Sequence, residues 1–210
     1  MKKFFASFLV LFAILSTCCV PKSAPSRAPG PAPSGSRDVA TVTVWRDFEL
    51  ELHVDKGFTG PGRTLIEAAA ANVRRLTHDR ARLNVVFDLD FDSPTGLEEH
   101  QRAGHSLVIG VLSSFDVVAA IDSSLNGPGE VLAATVRMQN DSQVVFLILD
   151  RILPEKFESV VTHEFGHVIG FPDLDVLGAR MSGRTVKGVP DPADWTPADV
   201  ALCRRFRYCD

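Results

Sequence analysis

The sequence contains no run of lysine or arginine, no internal repeat, one tyrosine and four cysteines in 210 residues. Its basic residues are scattered and its formal net charge is -4, which leaves no electrostatic footprint for a nucleic-acid partner. Two full domains do not fit this length, whereas 45% hydrophobic residues suffice for one core and suggest a monomer. Between residues 20 and 37 apolar periodicity is missing altogether. Pro, Ala, Ser and Gly dominate there, the composition of a tether that cannot bury a core.

What precedes the tether is an address. Lys2 and Lys3 form a basic start, and residues 4–15 form an apolar run interrupted only by Ser7 and alanines. The run is too short for a membrane span and suits an export signal over residues 1–17. Its end, Leu15-Ser16-Thr17-Cys18, resembles the bacterial lipobox, although Thr17 replaces the usual small residue before the cysteine. The resemblance implies lipidation of Cys18, a tethered linker over residues 18–37 and a chain held at the cell envelope; without lipidation the chain is secreted. The folded domain is expected over residues 38–210. No propeptide of useful size fits between Cys18 and that domain. Export also favours a disulfide between Cys203 and Cys209, pinning the C-terminus, with two thiols as the alternative because sequence does not give Cα separation.

Within the domain, alternation over 41–45 and 48–54 reads as a strand or hairpin and 83–91 as a strand, the apolar run 106–112 suits a strand covered on both faces, and 131–138 and 143–150 read as two further strands. In the third of these, Val85, Phe87, Leu89 and Phe91 are expected on one face, with Asp88 and Asp90 on the other. Residues 139–142 have turn composition. Helical spacing of Leu65, Ile66, Ala69, Val73 and Leu76 predicts a helix over 63–78. Pro154 opens another that runs to Val168 and stops at Gly170, and Thr196 caps a last one over 197–207 with Pro197 at its first position. This order indicates an α/β or α+β domain.

The stretch that carries chemistry is Thr162-His163-Glu164-Phe165-Gly166-His167-Val168-Ile169-Gly170-Phe171-Pro172-Asp173. On a helix His163 and His167 stand one turn apart on one face, so two imidazoles can converge on a single ion. Glu164 lies one step round, where its carboxylate reaches a metal-bound water and can act as general base. Gly170 permits the sharp turn that returns Asp173 as a third ligand. An aspartate is chemically sound there, and its charge makes the bound water less acidic than a third histidine would.

This stretch resembles the metzincin signature, His-Glu-x-x-His-x-x-Gly-x-x-His, with aspartate in the last position as in snapalysin-like bacterial members. Met181 follows at a matrixin-like distance and resembles the methionine of the turn packed beneath the metal. The segment 196–202 resembles the start of the C-terminal matrixin helix. The resemblance covers about residues 163–206. It implies an α+β zincin domain with a mixed twisted sheet, an active-site helix and a C-terminal helix, and one catalytic Zn²⁺ held by His163, His167 and Asp173. It further implies a zinc endopeptidase in which Glu164 activates a zinc-bound water to hydrolyse peptide bonds. A peptide or protein substrate would lie along an edge strand, expected at 131–138, with residues 183–195 forming a wall of the pocket. Tyr208 stands far beyond the methionine turn and supplies no oxyanion partner. Arg180 and Arg184 flank that turn and read as ordinary exposed arginines.

Other signals are weaker. Asp88, Asp90, Asp92 and Glu99 sit at calcium-loop offsets, but Ser93 holds the position where the turn needs glycine, so Ca²⁺ is disfavoured. His100 and His105 suggest a second structural metal only if a third ligand converges on them; otherwise they are solvated loop histidines. The competing function is a zinc-stabilised binding or adhesion lipoprotein, against which Glu164 argues, because a structural site has no use for a base. A metal-free envelope protein is the remaining alternative.

Overall fold

The computed structural model describes residues 47–91, 94–111, 131–138, 140–183 and 191–209. The expected export signal, Cys18, Cys19, the tether, the strand at 41–45 and Arg184 lie outside these residues. Among the described residues no helix is long and apolar enough to cross a membrane.

The fold is α+β. In chain order the elements are β1 (Phe48–Asp55), α1 (Gly60–Leu76), β2 (Ala81–Leu89), α2 (Pro94–Arg102), β3 (Ser106–Val111), β4 (Ala133–Arg137) and β5 (Gln143–Ile148). A 3₁₀ turn, Pro154–Lys156, then leads into α3 (Phe157–Val168), and α4 (Pro197–Arg205) closes the chain. The five strands form one sheet in the order β2-β1-β3-β5-β4. All neighbours are parallel except β4 and β5, which form an antiparallel pair. Residues 140–142 make their connection tight: Met138 N donates to Ser142 O at 2.8 Å, and Asp141 takes φ 65°.

The helix α1 starts a turn earlier than its apolar spacing suggests, because Pro61 suits a first turn whose N–H groups have no partner. It buries Ile66, Ala69, Ala70, Val73 and Leu76, one continuous stripe. Its end comes early because the Thr77 hydroxyl folds back onto Val73 O at 2.9 Å while His78 and Asp79 adopt positive φ.

Two clusters cover the two faces of the sheet. The larger joins Leu52, Val54, Leu83, Val108, Val145 and Leu147 to α1, α3 and the C-terminal residues Leu202, Cys203 and Tyr208. The smaller joins Leu107, Ile109, Val144, Phe146 and Ile148 to Leu97 of α2. The expected alternation along β2 fails at its end. Val85 and Phe87 pack with the first cluster, but Leu89 and Phe91 belong to the second. A register shift opposite His53 and Asp55 inserts one residue in β2 and reverses its facing. The helix α2 has no counterpart among the elements expected from sequence, because a nine-residue amphipathic segment with one buried leucine gives little periodicity to read.

Candidate metal centre

The centre is built on the last turns of α3. Val161, Phe165 and Val168 are buried against the sheet, which turns the His163 and His167 side chains towards the cleft beside it. His163 Nδ1 donates to Arg180 O at 2.8 Å and His167 Nδ1 donates to Phe171 O at 2.7 Å. Each bond consumes one ring nitrogen and fixes the tautomer, so both Nε2 lone pairs point into the same space. They stand 3.1 Å apart.

The third member arrives through a helix stop. Gly170 takes φ +97°, Gly170 N donates to His167 O and Phe171 N donates to Gly166 O, both at 2.9 Å. This paired pattern is a Schellman cap, which a Cβ at Gly170 would strain. The reversed chain then pairs with the turn at 179–182 through Leu174 N to Met181 O at 2.6 Å and a bridge between Leu174 and Ser182. Asp173 Oδ1 is thereby held 3.3 Å from His163 Nε2 and 3.5 Å from His167 Nε2. Gly183 completes the fit, since a Cβ there would press on the Asp173 carboxylate.

Met181 is fully buried against the helix turn that carries His163 and His167, with Sδ over Gly166 so that any Cβ at that position would overlap it. The turn that carries Met181 hangs on one carboxylate. Asp199 is buried on α4 and accepts from Arg180 N at 3.0 Å and Met181 N at 2.9 Å. The same side chain accepts from Thr196 N at 2.8 Å, completing a capping box with the Thr196 side chain. Sequence reasoning recognised Thr196 and missed the second use of Asp199; its position three residues after the cap was the only signal. Arg180 is corrected as well. It is buried, donates to Glu158 Oε1 at 3.3 Å and Ala193 O at 3.2 Å, and serves the packing behind the site.

Glu164 faces β4. The Thr135 hydroxyl donates to Glu164 Oε2 at 2.6 Å, and this partner across the cleft was not foreseen. Only 5% of Glu164 is exposed, so its aim is fixed by packing together with that bond. The three-ligand group has its own electrostatic signature. Burial opposes protonation of His167, yet the Asp173 hydrogen bond and the Glu164 carboxylate outweigh it and raise the His167 pKa above its ordinary value. Hydrogen bonds from His163 and His167 hold the Asp173 carboxyl well below the usual carboxylate range.

Donor set and spacing fit a zinc ion. Metal–ligand bonds of about 2.0–2.1 Å in a tetrahedral site place ligand atoms roughly 3.3–3.4 Å apart, and the three separations here, 3.1, 3.3 and 3.5 Å, bracket that edge length. Among the described residues the group has three members, and Asp173 keeps 60% of its side chain exposed. The group is therefore reached by solvent on the Asp173 side.

No protein-family model matches this sequence, and no curated protein matches it. The functional reading accordingly rests on the geometry.

Elsewhere the structure sorts the remaining candidates. The expected disulfide is formed between Cys203 and Cys209, with Cα atoms 5.4 Å apart. Tyr208 is buried and its hydroxyl donates to Ile169 O at 3.1 Å, far from any substrate role. The calcium-loop residues do not form a metal-capable group among the described residues: Asp88 bonds His53, Asp90 pairs with Lys56, Glu99 is on α2, and Asp92 lies outside the description. His100 and His105 are not solvated loop residues. His100 is on α2, both are half-buried, and the third convergent side chain that the sequence did not reveal is His53 of β1. Burial, and after it the neighbouring imidazoles of His53 and His100, hold the His105 pKa below its ordinary value.

Proposed function

We propose that the chain is a zinc-dependent endopeptidase of metzincin-like architecture, with His163, His167 and Asp173 as metal ligands and Glu164 as general base. The observation that carries this reading is the convergence of two tautomer-fixed imidazoles and a carboxylate at tetrahedral spacing, with a buried glutamate one residue along the same helix. A zinc ion held there would polarise a scissile carbonyl and lower the pKa of a water molecule.

The protein supplies the rest. Glu164 accepts the proton of the attacking water and passes it to the leaving amine, while Thr135 holds its carboxylate in place through the 2.6 Å hydrogen bond. Among the described residues β4 is one of the sheet's two edge strands, and the Thr135 hydrogen bond puts it beside the base, whereas β2 lies at the other edge. An extended peptide can add to the β4 edge by backbone hydrogen bonds, which would set its carbonyl beside the metal ligands. Such a binding mode selects extended backbone and leaves side-chain preference to the walls.

The test compares the purified full chain with Glu164→Ala for zinc content and for cleavage of a mixed peptide library. Both are expected to hold zinc, with cleavage by the variant reduced by about 10²-fold or more. Zinc in both and cleavage by neither would make the site structural, and absence of zinc from both would refute the metal centre.

A further inference from the structure

On the opposite face of the sheet lies a second group of imidazoles that the proposed peptidase chemistry does not use. Period two along β1 turns Leu52 and Val54 towards α1 and α3, and therefore turns His53 the other way, under α2. His53 is 4% exposed. Its Nδ1 is engaged by Asp88, 2.8 Å from Oδ1 and 3.1 Å from Oδ2. Its Nε2 is buried and faces Glu51 Oε1 at 3.0 Å, an ion pair when the ring is protonated.

Two further nitrogens complete the picture. His100 Nδ1 and His105 Nδ1 are 3.1 Å apart, again the edge of a tetrahedral site, and one ring nitrogen from each of His53, His100 and His105 lies within 4.8 Å of the others. We propose that His53, His100 and His105 form a second metal site, for a zinc-type divalent ion, with Glu51 beside it and Asp88 orienting His53 from behind. Three imidazoles select borderline transition metals over calcium or magnesium. The carboxylate behind His53 is the outer partner that ligating histidines ordinarily have.

The His53 and His105 rings are stacked, with centroids 4.1 Å apart and planes 9° from parallel. Lone pairs of parallel rings do not meet, so loading requires the His105 ring to turn about its outer torsion, which for histidine is broad. His105 is half-buried and follows Gly104 at φ +77°, so its ring has room and its backbone a pivot. The ion would tie β1 to α2 and to the start of β3, a structural role independent of peptide hydrolysis.

The experiment loads the untagged full chain with Zn²⁺, removes free metal by gel filtration and counts bound zinc. Two ions are expected per wild-type chain, one in His163→Ala/His167→Ala, one in His100→Gln/His105→Gln, and none when all four changes are combined. A His163→Ala/His167→Ala chain without zinc, or a His100→Gln/His105→Gln chain that keeps both ions, would overturn the proposal. Circular dichroism establishes that each variant is folded. If the His100→Gln/His105→Gln chain does not fold, Co²⁺ in the His163→Ala/His167→Ala chain decides: the visible bands of a four-coordinate nitrogen site support the second centre, and their absence refutes it. A wild-type chain with one ion that is lost only in His100→Gln/His105→Gln would support this site and refute the catalytic one.

Discussion

At the scale of single residues, the behaviour of the centre follows from which nitrogen carries which proton. Both histidines spend Nδ1–H on backbone carbonyls, so any proton on Nε2 competes directly with a metal. In the metal-free chain His167 has a raised pKa, so its contribution to stability is fully present below its ordinary 6.5 and is lost as pH rises through the folded-state value. Asp173 is depressed, so its contribution is present above 3.8 and is lost only as pH falls through its folded-state value. Between these limits histidine sets the slope. His105, whose pKa is lowered, contributes in the opposite sense over the same interval, so the His167 part is read as a difference: between about pH 6 and about pH 8 the melting temperature of metal-free wild type is expected to fall relative to that of His167→Ala. Stabilisation by added zinc should grow over the same interval, because deprotonated imidazole is the ligand; thermal melts with and without zinc check both signs. Gly166 is a second residue-scale case. Gly166→Ala forces Met181 away from the helix turn that carries the histidines, at an expected cost of about 1–3 kcal/mol measured by urea unfolding, together with weaker zinc binding.

Between elements, the centre depends on contacts that no one segment contains. The helix α3 supplies two of the proposed ligands, its Schellman stop returns the third, and α4 fixes the methionine turn through Asp199. A buried carboxylate that accepts from three backbone N–H groups is costly to remove, since hydrogen bonds to charged groups contribute more than neutral ones. Asp199→Ala is expected to destabilise the fold by on the order of 3 kcal/mol, seen as an earlier urea midpoint. It should also weaken zinc binding, because the turn supplies the carbonyl of Arg180 that orients His163. Thr196→Ala, which removes only the cap hydroxyl, should cost roughly 1 kcal/mol and leave zinc binding near wild type.

For the molecule as a whole, the C-terminus is a closure device. The disulfide joins residues six apart and packs with Leu76 of α1 and Leu202 of α4 in the main core, while Tyr208 between the two cysteines reaches the end of α3. So small a loop restrains the unfolded chain modestly. Cys203→Ala/Cys209→Ala is expected to lose about 2 kcal/mol, measured by urea unfolding against the oxidised wild type, with the zinc site retained as long as Tyr208 stays docked.

Sequence alone determined what depends on spacing within one element. His163, Glu164 and His167 were legible because one helical turn dictates their common face, Gly170 because a helix stop with a return needs positive φ, and Thr196 because a cap has local chemistry. The strands at 131–138 and 143–150 were legible because short apolar runs bounded by turn residues are a local property. Asp173 followed from the Gly170 turn together with the family resemblance, Met181 from the resemblance alone, and the disulfide from export, with its Cα separation given only by the structure. Only tertiary structure decided the rest. The Thr135 bond to Glu164 spans 29 residues, Asp199 reaches back 18 to Met181, and His53 meets His100 and His105 across separate elements. Those pairings are set by sheet order and by the register shift in β2, which depend on burying both faces of the sheet at once and leave no periodic trace in the chain.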